Sequence, residues 1–228
     1  MDTLEELYTP FIGLELSKKH LQEAKLKIVD TVKKNFKKSY FDGDISTGKN
    51  LISYHVIIQY IENFIDAEIR ELDKYTTKII ALEQKLSITL NIPGIAYPVI
   101  LKGKLDRIDE VDGTLRIIDY KTGKVEKRNV ELIDWDSLVE DYQYSKAFQL
   151  LCYSYMYTRL HPSENVNAGI ISLKNLKEGT LFFAKKAAPR SSKQHTIDSK
   201  ILMEFEHQLY KLISQITNPE IDFLEKEI

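Results

Sequence analysis

Cysteine is nearly missing from this chain of 228 residues, in which Cys152 stands alone. A lone thiol excludes an intramolecular disulfide framework and any zinc or iron–sulfur centre built on cysteines, and it fits a reducing compartment. A cytoplasmic protein with no disulfide partner is therefore expected. Histidine is scarce too, with His20, His55, His161, His195 and His207 scattered without metal-ligand spacing, which argues against a zinc enzyme. Long apolar runs are wanting: none approaches the roughly 18 residues of a membrane span, and no basic segment leads into an apolar one at the N-terminus. Neither a membrane partner nor secretion is expected. Charge of one sign is not in excess, since the net charge is −2, so any nucleic-acid contact has to be local. Internal repeats and low-complexity tracts are absent.

What remains is an ordinary globular composition, 43% hydrophobic and 29% charged, consistent with one domain over residues 1–228. The periodicity divides it into an N-terminal helical part, 1–75, and a sheet with flanking helices, 76–228. Leu21, Ala24, Lys25, Ile28, Val32 and Phe36 predict one helix over 15–38, and Val56, Tyr60, Phe64, Ile65, Ile69 and Leu72 a second over 50–73. Strands are predicted at Ile79–Leu82, Lys85–Ile92, Val99–Val111 and Thr114–Lys121. A helix over Tyr142–Leu160 follows, then strands at Ala168–Leu173 and Leu181–Ala184 that pair with each other. The last helix starts at Asp198 as N-cap and presents Ile201, Phe205, Leu209, Leu212 and Ile216 on one face.

One turn fixes where the carboxylates point. Asp112-Gly113 is a two-residue hairpin signal that favours a type I′ turn with φ > 0 at both central positions. With Val111 facing Thr114, the ladder sets Ile108 opposite Ile117, Asp106 opposite Asp119 and Lys104 opposite Lys121, all on one face. Directly opposed Cβ atoms lie about 4.5–5.5 Å apart, where like charges destabilise a sheet unless something offsets them. A divalent cation such as Mg²⁺ or Mn²⁺ would do so, needing only one or two carboxylates and substrate oxygens. Lys121 stands on the same face, where its ammonium can orient a water and steady a developing phosphate charge. The other face, with Arg107 against Ile118 and Asp109 against Arg116, reads as ordinary sheet surface chemistry.

Gly103-x-x-Asp106-Arg-Ile-Asp109, then Ile118-Asp119-Tyr-Lys121-Thr-Gly123, then Gln149-x-x-x-Tyr153, together resemble the RecB-type nuclease domain of the PD-(D/E)XK superfamily, an exonuclease domain of AddB/RecB kind. The resemblance implies a central mixed β-sheet with an antiparallel catalytic hairpin, flanked by helices, in a restriction-endonuclease-like α/β fold. It implies a metal-dependent deoxyribonuclease acting on DNA in repair or recombination beside a helicase-type partner. Asp106 and Asp119 would hold the metal with the Tyr120 backbone carbonyl, Lys121 would be the catalytic lysine, and Gln149 and Tyr153 would line the DNA side. Glu83, an acid shortly before the Gly-x-x-Asp strand, is a further metal candidate. Family members commonly carry a metal-binding histidine heading an N-terminal helix. The opening run Met1-Asp-Thr-Leu-Glu5-Glu-Leu-Tyr8 resembles the stretch just after it, so a fragment of a longer helicase-nuclease-like chain is expected. That departure keeps a second reading open, a DNA-binding module with an incomplete nuclease site.

Gln149 and Tyr153 are four apart and share a helix face. From Lys174 to Lys193 the cations Lys174, Lys177, Lys185, Lys186, Arg190 and Lys193 outnumber one acid, Glu178. Pro189-Arg-Ser-Ser-Lys193 reads there as a mobile loop, so Lys185, Lys186, Arg190 and Lys193 are candidate phosphate contacts or else a solvated connection. The Lys124–Arg128 run is a second basic candidate. Gly43-Asp-Ile-Ser-Thr-Gly48-Lys49-Asn50 nearly matches a P-loop, but Asn50 replaces the Mg²⁺-binding hydroxyl and no buried strand precedes Gly43. A loop between helices explains it.

Overall fold

The computed structural model of the chain describes residues 1–39, 44–162 and 165–223. Helices α1 (Asp2–Tyr8), α2 (Lys18–Leu26), α3 (Ile28–Ser39) and α4 (Gly48–Glu71) come first. Strands β1 (Thr77–Leu90), β2 (Val99–Val111), β3 (Thr114–Lys121) and β4 (Glu131–Leu132) follow, then α5 (Ser137–Glu140) and α6 (Ser145–Leu160). Strands β5 (Asn167–Ser172), β6 (Thr180–Phe182), β7 (Ala184–Lys186) and β8 (Lys193–Gln194) lead to α7 (Ser199–Thr217). A five-stranded sheet has the order β1-β2-β3-β5-β6, and a three-stranded one the order β4-β7-β8. In the latter β4 and β7 run parallel while β7 and β8 are antiparallel. This is the mixed α/β architecture of the restriction-endonuclease type.

Two compact units divide the chain, the first made of Met1–Gln84, Asp106–Lys124 and Ile171–Thr180. The second contains Lys85–Leu105, Val125–Ile170 and Leu181–Ile228. The hairpin thus belongs with the N-terminal helices.

The hairpin forms in the expected register as far as Arg107↔Ile118, and the expected pairs Asp106 with Asp119 and Lys104 with Lys121 fall beyond that stretch. Asp112 and Gly113 both have positive φ, 47° and 79°, and the paired residues run from Val111↔Thr114 through Asp109↔Arg116 to Arg107↔Ile118. Ile108 and Ile117 are buried on one face. The other face is not ordinary surface: Arg107 is only 1% exposed and Asp109 not at all. Covered on both sides by apolar residues and helix α4, this part of the sheet has no solvated face, so its charges must satisfy one another. Arg107 Nε donates to Asp109 Oδ2 at 2.6 Å and Nη1 to Glu68 Oε1 of α4 at 2.5 Å. Arg116 completes the pairing from Nε to Asp109 Oδ1 at 2.8 Å and from Nη2 to Oδ2 at 2.9 Å. Tyr8 of α1 donates to Glu68, and its ring covers the guanidinium at 5.6 Å. Burial works against the Asp109 charge, yet the two arginines hold its carboxyl below the usual range.

That cluster explains a rotated helix. The inward stripe of α4 is Tyr54, Ile61, Phe64, Ile65 and Glu68, whereas the predicted stripe included Val56, which is 42% exposed. The helix turns so that Glu68 reaches Arg107. The predicted single helix over 15–38 is two, α2 and α3, parted at Lys27, which caps α2. Helix α1 escaped the periodicity because seven residues give too short a window, although Thr3, Leu4, Leu7 and Tyr8 are buried. Strand β1 is continuous where two were predicted. The P-loop-like run lies partly outside the described residues, through Gly43. Its described part leads into α4: Asp44 Oδ1 accepts from Ser46 N–H at 2.7 Å, and Asn50 Nδ2 donates to the Asp44 carbonyl at 3.1 Å.

In the second unit, α6 and α7 meet through Phe205, which takes Phe148 and Tyr155 edge-on at 5.4 and 5.8 Å. Helix α7 begins as predicted, with Asp198 accepting from Ile201 N–H at 2.9 Å. No described helix is long and apolar enough to cross a membrane.

Replacing Arg107 by Ala leaves Glu68 and Asp109 buried without their counter-charge, and this should lower the unfolding free energy by about 3–5 kcal/mol. Urea melts at unchanged m-value measure it; a loss below about 0.5 kcal/mol would show that the cluster does not hold the hairpin.

Candidate active site

The site begins where the β2–β3 ladder ends. Beyond Arg107↔Ile118 the next ladder-side amide of β3, Tyr120 N–H, is taken by Asp106 Oδ2 at 2.8 Å. A side-chain carboxylate therefore stands in for a backbone carbonyl at the open end of the hairpin. Asp119 and Lys121 flank Tyr120 in β3 and, by strand alternation, share the face opposite to its ring. Lys121 Nζ lies 2.9 Å from Asp119 Oδ2 and 3.2 Å from Oδ1. The Asp119 side chain is 3% exposed and that of Lys121 32%, so the lysine forms the solvent side of the pair.

Burial pushes the Asp106 carboxyl up to about 6, and the charges of Asp119 and Glu83 add to the rise, while the Tyr120 N–H and Lys121 pull against it. Burial also raises Asp119, with Lys121 drawing it back. Asp119 and Glu83 thus both act on Asp106. Glu83 reaches the group through its backbone: it has φ of +50° inside β1, a left-handed conformation that a glutamate adopts only at a cost and that re-aims a strand's side chains. The two strands predicted on either side of Glu83 reflect that kink.

The rest of the site-residue expectations are placed as follows. On α6, Gln149 Nε2 donates to Tyr153 OH at 2.7 Å, so the pair shares a face as its spacing requires. Gly103 explains itself in the same unit, since a Cβ there would lie 2.4 Å from Met156 Cε and 3.2 Å from Tyr153 Cε1; glycine lets β2 approach α6. Lys124 and Arg190 are exposed. Pro189, Arg190, Ser191 and Ser192 lie in the turn that joins β7 to β8, whose ends are paired Lys185↔Gln194 and Lys186↔Lys193. Lys185 Nζ donates to the Ile133 carbonyl at 2.6 Å, and Lys186 and Lys193 both pair with Glu131, at 3.2 and 2.5 Å. Glu131 is the acid that the charge count missed, because it lies far away in sequence and enters through β4.

The residues that sequence reading passed over are Glu68, Tyr8 and Arg107. A signal existed for Glu68, since Ile61, Phe64, Ile65 and Glu68 fall at helical spacing on one inward stripe.

An α/β sheet whose central hairpin ends in two acids and a lysine, with a third acid acting on them, defines a nuclease-type domain. The chain belongs to the PD-(D/E)XK nuclease superfamily, which it matches over residues 2–227. The crystal structure of SSO0001 is similar over 84% of each chain at 12% identity, with a TM-score of 0.24, a likeness too low to carry any argument. No curated protein matches the chain.

The superfamily generally uses divalent metal ions. Among the described residues no group of three or more His, Cys, Asp and Glu side chains is arranged to hold one. The chemistry of the donor set fits a hard cation nonetheless: Asp106 and Asp119 are oxygen donors, and the burial and, to a smaller extent, the neighbouring acids that raise Asp106 are what a cation offsets.

The raised Asp106 has a sign that can be checked. A folded value of about 6 against an ordinary 3.8 means that the folded state holds this proton more tightly than the unfolded one. The resulting stability is fully present below the unfolded value and is lost as pH rises through about 6. In chelator, Asp106→Asn should therefore gain stability relative to the parent protein as pH rises from about 4 to 7. Thermal melts at the two pH values read this, and a pH-independent difference would show that Asp106 is not repelled in the folded state.

Proposed function

We propose that the chain is a Mg²⁺- or Mn²⁺-dependent deoxyribonuclease of the RecB type that hydrolyses DNA phosphodiester bonds, exonucleolytically and in repair or recombination, beside a helicase-type partner. The observation that carries the proposal is the geometry at the end of the hairpin, where Lys121 Nζ lies 2.9 Å from Asp119 Oδ2 and the half-buried Asp106 accepts from the Tyr120 N–H between them at 2.8 Å. Membership of a nuclease superfamily supports it. Asp106 and Asp119 would hold the metal, with the Tyr120 carbonyl and Glu83 as further oxygen donors. The ion, when bound, supplies Lewis-acid polarisation of the scissile phosphate. Lys121, already at the solvent side of Asp119, contributes a fixed positive charge where negative charge develops on the phosphate. In a dry site such a charge is worth far more than in water.

Asp119→Ala and Lys121→Ala should each cut metal-dependent cleavage of linear DNA at least about a hundred-fold while leaving the circular-dichroism spectrum unchanged. Either variant cleaving at the parent rate would refute the assignment of these residues.

A second reading is a DNA-binding module with an incomplete nuclease site. The observation in its favour is that no set of three or more metal-ligand side chains is arranged to hold a metal among the described residues. Binding of DNA with no cleavage at any Mg²⁺ or Mn²⁺ concentration would select it.

DNA contacts fall in this proposal to Lys124 and Arg190, which are exposed, and to Gln149 and Tyr153. Lys185 also serves the Ile133 carbonyl, and Lys186 and Lys193 also pair with Glu131. Neutralising Lys124 and Arg190 together should reduce the salt slope of duplex binding by about 0.9 for each phosphate whose charge they had offset. Anisotropy titrations across salt concentrations measure this, and an unchanged slope would move the DNA path elsewhere.

A further inference from the structure

We infer that Arg107 and Tyr120 are positioning residues that set the spacing of Asp106 and Asp119 from the buried side of the hairpin, with Glu68 as their anchor. The inference rests on the metal-binding reading of the two aspartates. Each of the pair stands next in the chain to one of the aspartates and, by strand alternation, on the opposite face. Backbone pairing does not hold the strands at this point, since the ladder's last pair is Arg107↔Ile118 and the Tyr120 amide is given to Asp106. Side chains span the gap instead. Arg107 Nη1 donates to Tyr120 OH at 3.2 Å and to Glu68 Oε1 at 2.5 Å, so one guanidinium ties β2, β3 and α4 together.

The clamp is rigid for clear reasons. Phe64 meets the Tyr120 ring edge-on at 5.3 Å, and Tyr8 donates to Glu68 from the other side. Arg107 Nε is committed to Asp109 at 2.6 Å, and Arg107 is fully enclosed. A planar guanidinium held on two edges leaves little freedom to the strand that carries it. Tyr120 then works twice: its phenol fixes β3 against Arg107, and its amide aims the Asp106 carboxylate. Groups that orient metal ligands typically change affinity or activity by about 10–100-fold when removed, and Arg107 and the Tyr120 hydroxyl act on Asp106 and Asp119 through the backbone of β2 and β3.

A cluster that merely stabilised the fold would behave differently, and Tyr120→Phe separates the two. It keeps the ring and its packing against Phe64 and removes only the hydroxyl that Arg107 holds. Mn²⁺ titrations by calorimetry should show affinity about 10–100-fold weaker than in the parent protein, and cleavage should lose kcat with KM for DNA unchanged. In metal-free protein, amide exchange at position 120 should quicken about ten-fold while the amides of Asp109 and Arg116, a hydrogen-bonded pair of the intact ladder, keep their protection. Should Tyr120→Phe fail to fold, Glu68→Gln, which retains an acceptor oxygen, is read by the same measurements. Parent-like Mn²⁺ affinity with parent-like exchange at residue 120 would overturn the inference, as would equal loosening of residues 109, 116 and 120. A parent protein that binds no Mn²⁺ would refute the metal reading alone; the exchange pattern would still decide the clamp.

Discussion

The guanidinium of Arg107 lies enclosed between α4 and the β2–β3 hairpin, and it bonds Glu68, Asp109 and Tyr120. Two arginines and two acids cancel there, Arg107 and Arg116 against Asp109 and Glu68. Taking four charges out of water costs more than their attraction repays unless nearly every donor finds an acceptor. Nearly all do: among the described residues Arg107 Nη2 is the one fully buried side-chain atom of this cluster without a hydrogen bond, and the Tyr8 ring covers the guanidinium. Helix α1, helix α4 and both hairpin strands must therefore reach their places together, since the omission of any one leaves a bare charge in the core.

The two faces of the hairpin divide the work. On the Arg107 face opposite charges are paired and the structure is closed. On the Asp106 face like charges are gathered, with Glu83 bent into the group by its left-handed backbone and Lys121 as its cation. Such repulsion persists in a folded protein only when the surroundings outweigh it, and the paired cluster one residue away in each strand is the nearest source of that stability.

Much of this was legible in the chain. Asp112-Gly113 dictated the turn, and the turn dictated the register, which the structure follows pair by pair from Val111↔Thr114 to Arg107↔Ile118. Local chemistry sufficed because a two-residue turn leaves strand pairing no alternative. Asp198 as the cap of α7 and Gln149 with Tyr153 on one face of α6 follow from equally local rules. The same alternation misjudged the Arg107 face. Period-two patterning says which residues share a face but not whether a helix will later cover it, and an Arg–Asp pair on a covered face becomes a buried network. The counter-charge of Lys186 and Lys193 escaped the local charge count for a related reason, because Glu131 is supplied by a strand far earlier in the chain.

By itself, then, the sequence determined the hairpin, the side of it on which Asp106, Asp119 and Lys121 stand, and the helical spacing of the residues around them, all consequences of short-range backbone geometry. Only the tertiary structure decided that Glu68 would meet Arg107, that Tyr120 would hand its amide to Asp106 at 2.8 Å, and that Glu131 would claim two lysines. Those pairings join segments far apart in the chain. Their partners are chosen by which charges become buried together, and no local period records that.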